Sequence, residues 1–272
     1  MPTEFYKMTG SGNDFVMLDG RVHRVADWPV ERIVAVCDRR NGVGADGFVV
    51  LTPVAGAQVR MSFFNSDGSE AAMCGNAALC STVLATTLGM VGPDGMDLVT
   101  GAGTFPTRCT GISQASLNLP DFQPPRDPGI SMGPGELGIW LSTVGVPHLT
   151  VLVEDVEKID LGGRGRELRF HPGAGPAGAN VNFVAPAPDA DGSRWLMRTY
   201  ERGVEGETLA CGTGAVASAV ALGGSGRGSL PAVIVCRSGR PLEIRASLGP
   251  AHASKVWLTG EGRLVFRGIL SD

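Results

Sequence analysis

The chain has 272 residues, a formal net charge of −4 and a hydrophobic content of 43%, so it can bury a substantial core in one large or two ordinary domains. The acidic balance and the lack of any basic run argue against a nucleic-acid or membrane-surface function. No apolar run approaches the length that spans a bilayer, and the first residues lack the pattern of a secretory signal. We therefore expect a cytoplasmic protein with no nucleic-acid and no membrane partner.

The spacing of the cysteines also indicates a cytoplasmic protein. The six cysteines include no Cys-x-x-Cys pair, and the chain has only four histidines. This pattern argues against a zinc site and against a disulfide framework, so we expect no metal and a reducing compartment. The 40 glycines and 18 prolines indicate many tight turns between short strands.

The first part of the chain alternates short apolar runs with glycine-rich turns, which is typical of strands in a sheet. A helix is predicted over Val30–Cys37, where apolar residues recur at helical spacing. A second helix is expected to begin after Cys74, and the turn-forming residues Asn65–Gly68 lead the chain to it. The predicted strands in this part are Phe5–Met8, Val16–Leu18, Phe48–Leu51 and Val59–Phe64.

The second part repeats this organisation. Short alternating segments continue from Leu98 to Leu119, and a cluster of prolines without periodicity follows over Pro120–Pro134. We interpret the proline cluster as the linker region and place a domain boundary near residue 115. The predicted strands beyond it are Leu137–Val144, Leu149–Val153, Ala179–Val184, Trp195–Tyr200, Ala232–Arg237, Leu242–Ala246, Lys255–Thr259 and Leu264–Ile269. Each part thus consists of short strands, mostly antiparallel, around one apolar helix that must be buried on all sides.

The stretch Glu207–Ala221 places Cys211 directly before Gly212, Thr213 and an Ala/Val-rich run. Thr213 is a candidate N-cap, so Cys211 is expected at the amino end of a helix. The unpaired N–H groups and the dipole at such an end favour negative charge and shift a thiol towards thiolate. The alternative is that Cys211 is a small buried hydrophobic residue, the commonest role of an unpaired cysteine.

An equivalent stretch occurs about half a chain length earlier. At a single offset, Glu70, Cys74, Gly75, Ala78, Ser81 and Val83 match Glu207, Cys211, Gly212, Ala215, Ser218 and Val220. Chance agreement between two alanine-rich helices does not account for the shared Glu-x-x-x-Cys-Gly pattern. We infer an internal duplication that gives two similar domains, each with one cysteine at a helix start.

Two such cysteines indicate a specific reaction. To invert a stereocentre, one group must remove a proton from one face of the carbon and another must return a proton to the opposite face. A thiolate and a thiol, one on each domain, can do this without a cofactor. The helix starts beneath them would present N–H groups to an α-carboxylate and stabilise the carbanion formed next to it.

A series of segments spans essentially the whole length in a fixed order: Gly10–Phe15, Gly42–Gly47, Phe64–Glu70, Met73–Asn76, Pro147-His148, Tyr200–Gly203 and Cys211–Gly214. In these segments the chain resembles a known family, the diaminopimelate epimerases, within the cofactor-independent two-cysteine amino-acid racemases and epimerases. The resemblance implies an α+β fold with two pseudo-symmetric domains, each a curved, mostly antiparallel sheet wrapped around a central helix, with the active site in the cleft between them. The family also implies a homodimer.

The last strand of that architecture returns to the first domain. The resemblance therefore implies an N-terminal domain of residues 1–115 with a return segment 258–272, and a C-terminal domain of residues 116–257. It also implies functional residues by position. Cys74 and Cys211 resemble the acid/base pair, and His148 and Glu201 resemble the polar pair beside them. The residues that resemble substrate-binding groups are Asn13, Asn65, Gly75, Asn76, Asn180, Glu201, Arg202, Gly212 and Thr213.

Each of these residues also has a structural interpretation. Asn13, Asn65 and Asn180 could be turn or strand-end residues. Glu201 and Arg202 could form a surface ion pair of little energetic consequence. His148 could be a core histidine whose hydrogen bonds are satisfied. The resemblance favours a functional role for all six.

Two positions depart from the family pattern. Val146 stands before Pro147-His148 where the family usually has asparagine, and Leu79 stands where the family commonly has arginine. Leu79 lies inside the predicted helix, so its effect is expected to be structural. Val146 bears on the substrate, because a charged group left without its hydrogen-bond partner costs roughly 1–3 kcal/mol or more.

Four functions remain in competition. The first is epimerisation of LL-2,6-diaminopimelate to meso-diaminopimelate, which would serve lysine biosynthesis and cell-wall synthesis. The second applies the same two cysteines to another amino acid such as histidine, and Val146 motivates it. A binding or isomerase relative that does not use thiols is disfavoured by the presence of both cysteines. A thiol hydrolase with His148 as base and Cys211 as nucleophile leaves Cys74 without a role.

Overall fold

The computed structural model describes residues 3–92, 94–188 and 191–270. The chain divides into two compact units. Unit 1 comprises Met1–Asn118 and Thr259–Asp272, and unit 2 comprises Leu119–Leu258. The chain therefore leaves unit 1 once and returns to it near its end.

Strands dominate both units. The strands are β1 (Thr3–Gly10), β2 (Asn13–Asp19), β3 (Gly47–Pro53), β4 (Gln58–Asn65), β5 (Met96–Thr100), β6 (Gly103–Gly111), β7 (Gln114–Leu119), β8 (Glu136–Val144), β9 (Val146–Val153), β10 (Asn180–Pro186), β11 (Arg194–Glu201), β12 (Gly206–Thr208), β13 (Ala232–Val235), β14 (Pro241–Leu248), β15 (Ala253–Glu261) and β16 (Arg263–Leu270). The α-helices are α1 (Val30–Cys37), α2 (Gly75–Thr87), α3 (Arg166–Arg169) and α4 (Gly212–Gly224). A π-helical turn, Leu161–Gly165, leads directly into α3.

The sheet of unit 1 has the strand order β16-β1-β2-β3-β4-β5-β6-β7. Strands β1 and β2, β3 and β4, and β5 and β6 pair antiparallel, whereas β2 and β3 and also β4 and β5 pair parallel. The parallel pairs are those joined by a helix, α1 in the first case and α2 in the second. Parallel neighbours need such a crossover, because a tight turn reverses the direction of the chain.

Unit 2 repeats this alternation. Its strand order includes β14-β13-β11-β10-β9-β8, with β12 added to β11. Strands β8 and β9, β10 and β11, and β13 and β14 pair antiparallel, whereas β9 and β10 and also β11 and β13 pair parallel. The crossovers carry α3 and α4. Matching β1–β6 in order with β8, β9, β10, β11, β13 and β14 reproduces every pairing, as expected of an internal duplication.

One apolar helix lies at the centre of each unit. Helix α2 contacts β1–β6 and β16, and helix α4 contacts β8, β9, β10, β13 and β14. Both helices are buried on all sides over most of their length, which agrees with their lack of a polar face. The predicted α+β class with a sheet wrapped around a central helix is confirmed, and α1 has the predicted limits Val30–Cys37. None of the described helices is both long and apolar enough to cross a lipid bilayer.

The proline-rich segment interpreted as a linker is tied into unit 2. Phe122 forms backbone hydrogen bonds in both directions with Ala253, and Arg126 does the same with Leu141. The prolines prevent a regular strand because they remove N–H donors, but the residues between them still pair.

Candidate active site

In unit 1, Cys74 is the N-cap of α2. Its backbone is extended, Gly75 and Asn76 form the first helical turn, and the carbonyl of Cys74 accepts the N–H of Ala78 at 2.9 Å. The Cys74 side chain is half-buried. The chain therefore places this thiol at the helix end that attracts negative charge, as the sequence predicted.

Asn13, at the start of β2, lies against the same helix end. Its Oδ1 accepts a hydrogen bond from Asn76 Nδ2 at 2.6 Å, and its Nδ2 donates to Asp46 Oδ2 at 3.1 Å. Asn76 is almost fully buried. These two bonds fix which end of the Asn13 amide faces the helix and which faces the carboxylate.

An ion network surrounds Asp46, the carboxylate to which Asn13 donates. Asp14 contacts Arg39 at 2.6 Å and Lys7 at 2.7 Å, and Arg39 also contacts Asp46 at 2.6 Å. Burial alone would raise the pKa of Asp14, but the hydrogen bonds from Arg39 and Lys7 outweigh it and lower the pKa to about 2. Asp46 also accepts the backbone N–H of Asp14 at 3.1 Å. The network therefore keeps the Asp46 carboxylate directed at Asn13.

Asn65 ends β4 and opens the turn that leads to Cys74. Its side-chain Nδ2 donates to Ser69 Oγ at 3.0 Å, and its carbonyl accepts the N–H of Gly68 at 2.9 Å. Gly68 has a φ of +80°, which favours glycine at this position of the turn. The Asn65 side chain is exposed. These hydrogen bonds are those of a turn residue.

In unit 2, Cys211 is the N-cap of α4, equivalent to Cys74 in α2. The predicted N-cap, Thr213, is wrong: it is the second helical residue, and its Oγ1 lies 3.8 Å from Cys211 Sγ. Cysteine holds the cap position because its backbone is extended and its carbonyl already accepts the N–H of Ala215 at 2.9 Å. The helix starts with Gly212, as α2 starts with Gly75.

The expected shift of Cys211 towards thiolate is also wrong. Burial raises the pKa of this thiol well above its usual range, and the nearby Glu201 carboxylate raises it further. The N–H of Gly214 and the Thr213 hydroxyl act in the opposite direction but are weaker. The helix dipole favours the thiolate, but only 7% of Cys211 is exposed, so burial outweighs the dipole. Burial and the Glu201 charge therefore favour the protonated form of the Cys211 thiol.

Glu201 is the last residue of β11 and is partly buried. Its Oε2 accepts the hydroxyl of Thr208 at 2.6 Å. Burial raises its pKa, and the Thr208 hydrogen bond opposes this. Glu201 is thus held by β12 next to Cys211 and is not part of a surface ion pair among the described contacts.

His148, on β9, is fully buried. Burial lowers its pKa to about 3, and the positive charge of Arg202 acts in the same direction, so the ring is neutral. Its Nδ1 lies 3.3 Å from Nδ2 of Asn182, while its Nε2 is a buried atom with no hydrogen-bond partner among the described residues. His148 is therefore not a histidine with both nitrogens satisfied.

Asn180 lies directly beside His148 on the parallel neighbour β10. Its Oδ1 accepts the backbone N–H of Arg202 at 2.7 Å, which orients the turn after β11. Asn180 and Arg202 are thus in contact, and Arg202 is close enough to His148 to influence its charge.

Within unit 1 the structure brings Asn13 and Asn76 together at the cap of α2 and places Asn65 at the end of β4. Within unit 2 it groups His148, Asn180, Glu201 and Arg202 around the start of α4 that carries Cys211, Gly212 and Thr213. Sequence reasoning missed Asp46 and Asn182. Asp46 lies in the quoted segment Gly42–Gly47, and Asn182 follows Asn180 by two residues on the same face of a strand, so both patterns were available.

The two departures from the family pattern occupy different environments. Leu79 is fully buried inside α2, so its role is packing. Val146 is the first residue of β9, as Asn13 is the first residue of β2. It is half-buried and apolar where unit 1 presents an amide. Across residues 3–92, 94–188 and 191–270, no cluster of three or more His, Cys, Asp or Glu residues is arranged to hold a metal ion.

Comparison with known proteins identifies close relatives. The sequence model of the family described as diaminopimelate epimerase matches residues 5–117 and 140–245. A diaminopimelate epimerase of Gemmatimonas aurantiaca is 46% identical over 98% of this chain and 99% of the relative. One from Aquifex aeolicus is 39% identical over 99% of this chain and 98% of the relative. Among solved structures, a phenazine biosynthesis protein of the PhzF family from Bacillus anthracis covers the whole of both chains with a TM-score of 0.75 at 11% identity, which shows a shared fold.

Proposed function

The chain belongs to the diaminopimelate epimerase family, and we propose that it converts LL-2,6-diaminopimelate into meso-diaminopimelate for lysine biosynthesis, without a cofactor. The observation that carries this proposal is the equivalence of Cys74 and Cys211. Each is the N-cap of the central helix of its unit, in the same frame of strand pairings. A duplicated fold that keeps one thiol at each helix end suits a reaction that needs two proton-transfer groups.

In the proposed reaction one sulfur accepts the α-proton of the substrate, and the electron pair of the broken C–H bond passes to the carbon and its carboxylate. The other sulfur then donates its own proton to the opposite face of that carbon. The reaction requires the two thiols to reach opposite faces of one α-carbon, and the exchange of roles allows it to run in both directions. No oxidant or reductant is consumed.

The first turns of α2 and α4 are proposed to stabilise the carbanion. The backbone N–H groups of Gly75, Asn76, Gly212 and Thr213 belong to the first turn of each helix, where the N–H groups have no intrahelical acceptor. Such groups bind a carboxylate and stabilise the negative charge that develops on it. Removing one donor of this kind typically costs about 10²–10³-fold in rate.

The remaining polar residues are proposed to hold and tune the site. Glu201 and His148 would act beside the cysteines. Asn13, Asn65, Asn180 and Arg202 would bind the substrate, chiefly its distal amino-acid end. Their positions at strand ends near the cysteine-bearing helix ends of their own units support this assignment.

A second candidate function is racemisation of another amino acid, such as histidine, by the same two cysteines. Val146 favours it, because an apolar side chain occupies the position equivalent to Asn13 and offers no hydrogen bond to a charged distal group. The 46% identical relative named diaminopimelate epimerase favours the first candidate.

We further propose that the protein acts in the cytoplasm as a homodimer. Strand β16 stands at the end of the strand order of unit 1 and exposes Leu264, Val265, Phe266 and Ile269. An exposed apolar strand at a sheet edge is a ready site for pairing with another chain. Size-exclusion chromatography with light scattering would show a dimer for the wild type, and Phe266→Glu would shift it towards monomer.

The substrate is tested by following the α-proton signal in deuterated water by NMR, with LL-diaminopimelate, histidine, proline and glutamate in parallel. Exchange and inversion of diaminopimelate alone would support the first candidate. Exchange of histidine instead would support the second, and no exchange of any would contradict both. Cys74→Ala and Cys211→Ala should each lose the activity, whereas Cys109→Ala, at a half-buried cysteine of β6, should keep it.

A further inference from the structure

Asn182 is a fully buried polar residue of β10 to which neither the motifs nor the proposed mechanism assigns a role. Its side chain lies between His148 and the first turn of α4. A Cβ atom built on Gly214 would overlap Asn182 Oδ1 and approach Cys211 Sγ to 3.1 Å. Asn182 therefore connects the only fully buried histidine among the described residues with the helix end that carries Cys211.

The orientation of the Asn182 amide is fixed by an obligatory acceptor. Its nitrogen lies 3.2 Å from the carbonyl oxygen of Leu149, which can only accept. The opposite orientation would bring two oxygen atoms together. On the other side, Oδ1 accepts the hydroxyl of Thr199 at 2.9 Å. Asn182 therefore directs its NH₂ group, and not its oxygen, towards β9.

The same NH₂ group determines which ring nitrogen of His148 carries the hydrogen. One hydrogen is used by Leu149, and the second points to His148 Nδ1 at 3.3 Å. Nδ1 must therefore offer a lone pair. In a neutral imidazole one nitrogen carries the hydrogen and the other accepts, so the hydrogen of His148 is on Nε2.

We propose that Asn182 is a positioning residue that holds His148 in the Nε2–H tautomer, so that His148 presents a hydrogen-bond donor to the substrate carboxylate and does not serve as a base. This inference rests on the proposed function for the identity of the acceptor, but not for the tautomer itself. Without Asn182 the ring could place its hydrogen on either nitrogen. With it, Nε2 can only donate.

Two further observations agree with a donor. Nε2 is buried and has no partner among the described residues, so an N–H on this atom has no acceptor within the described structure. Ser142 lies directly opposite His148 on β8, and its buried hydroxyl also lacks a partner within the described structure. Residues directly opposite in an antiparallel pair share one face of the sheet, so two unsatisfied donors lie side by side there. A carboxylate can accept hydrogen bonds from both, whereas a cationic group cannot accept one from Nε2–H.

The tautomer can be measured directly by two-dimensional ¹H–¹⁵N NMR of the full protein labelled at histidine nitrogens. The His148 signals are identified by their loss in His148→Gln. At pH 7 the wild type should show Nδ1 unprotonated and Nε2 protonated. An Nδ1–H tautomer, a doubly protonated ring, or a mixture of tautomers in fast exchange would each overturn the proposal.

Two substitutions separate positioning from mere packing. In Asn182→Asp the side chain can no longer donate to Nδ1, so the hydrogen is expected to move to Nδ1. In Asn182→Leu, which adds no buried charge and is the alternative if the first variant fails to fold, the tautomer preference should be lost. Thr199→Val is the matched control: it removes the bond to Asn182 Oδ1 but leaves the NH₂ group against Leu149, so Nε2–H should persist. An unchanged spectrum in both Asn182 variants would contradict the proposal.

The tautomer of His148 can be determined whether or not the proposed reaction is correct. If the wild type shows Nε2–H but exchanges no α-proton of any amino acid, the reaction is wrong and the tautomer assignment stands. If it epimerises diaminopimelate and shows Nδ1–H, the reverse holds. Where both hold, Asn182→Leu should lower the turnover of diaminopimelate by at least tenfold, and Thr199→Val should change it by less than threefold.

Discussion

The starts of α2 and α4 occupy equivalent places in their units and share a cysteine cap followed by glycine, yet their surroundings differ. Cys74 is half-buried and lies near an amide pair, Asn13 and Asn76, that is anchored in an ion network. Cys211 is buried beside Glu201, and its thiol is difficult to ionise. Duplication preserved the backbone frame, whereas divergence of the strand-end residues changed the electrostatics. A helix end alone therefore does not determine the ionisation of its cap.

The largest expected effect on the rate comes from replacing either of the two N-cap cysteines. Cys74→Ala and Cys211→Ala should each reduce epimerisation by about 10²–10⁴-fold, the usual contribution of a general acid or base, or more if both transfers are essential. Both variants should keep their circular dichroism spectrum and melting temperature within a few degrees. Full turnover in either one would show that its sulfur transfers no proton.

The tight packing around Gly214, next to Cys211, can be tested by adding a single methyl group at that position. Gly214→Ala should destabilise the protein by about 1–3 kcal/mol, because its Cβ would overlap Asn182 Oδ1 and approach Cys211 Sγ. Gly224→Ala, at the end of the same helix, has no heavy atom within 4 Å of the added Cβ. It should be neutral or slightly stabilising in urea unfolding. Equal stability of the two variants would contradict the packing described for α4.

The stabilisation by the ion network of unit 1 should depend on pH in the acid range. Because the pKa of Asp14 is lowered from 3.8 to about 2, its ionised form stabilises the folded state by about 2 kcal/mol. This stabilisation is complete above the unfolded pKa and is lost as the pH falls from about 4 to about 2. The difference in unfolding free energy between wild type and Asp14→Asn should therefore shrink from pH 6 to pH 3. A constant difference would mean that the charge of Asp14 is not involved.

Asp46 should act on binding more than on chemistry. Asp46→Ala removes the acceptor that orients Asn13, so KM should rise about tenfold with a smaller change in kcat. Asp27→Asn, which breaks an exposed ion pair with Arg24, is the matched control and should leave both constants unchanged. A fall in kcat alone would place Asn13 in the chemical step.

The smallest expected effect is that of changing Val146, which begins β9 as Asn13 begins β2. Val146→Asn introduces at the start of β9 the amide that Asn13 provides at the start of β2. If the distal end of the substrate lies near this position, the substitution should lower KM for diaminopimelate by about two- to fivefold, less than the full value of a hydrogen bond to a charged group. A rise in KM would indicate that the site is built around the apolar side chain.

Much of this architecture was predictable because it depends on local patterns. The limits of α1, the start of α2 after Cys74 and the duplication of the two caps follow from apolar spacing and from one repeated motif. The parallel pairs were not predicted, because a crossover looks like an ordinary loop and helix in sequence. The high pKa of Cys211 was missed for a related reason: burial and the proximity of Glu201 arise only when distant segments pack. The segments that contain Asp46 and Asn182 were recognisable in the sequence, but the side chains that they contact lie 33 and 34 residues away, so local periodicity could not predict these contacts.

The central claim is that two different sulfurs handle the proton on opposite faces of one carbon. The most direct test is to convert LL-diaminopimelate in deuterated water and to stop the reaction at a few per cent conversion. We predict that the meso product carries deuterium at the inverted carbon while the remaining LL substrate is still protiated, because the donating thiol has exchanged its hydrogen with solvent. A product that retains the original protium would show that a single group removes and returns the proton, and it would contradict the roles assigned to Cys74 and Cys211.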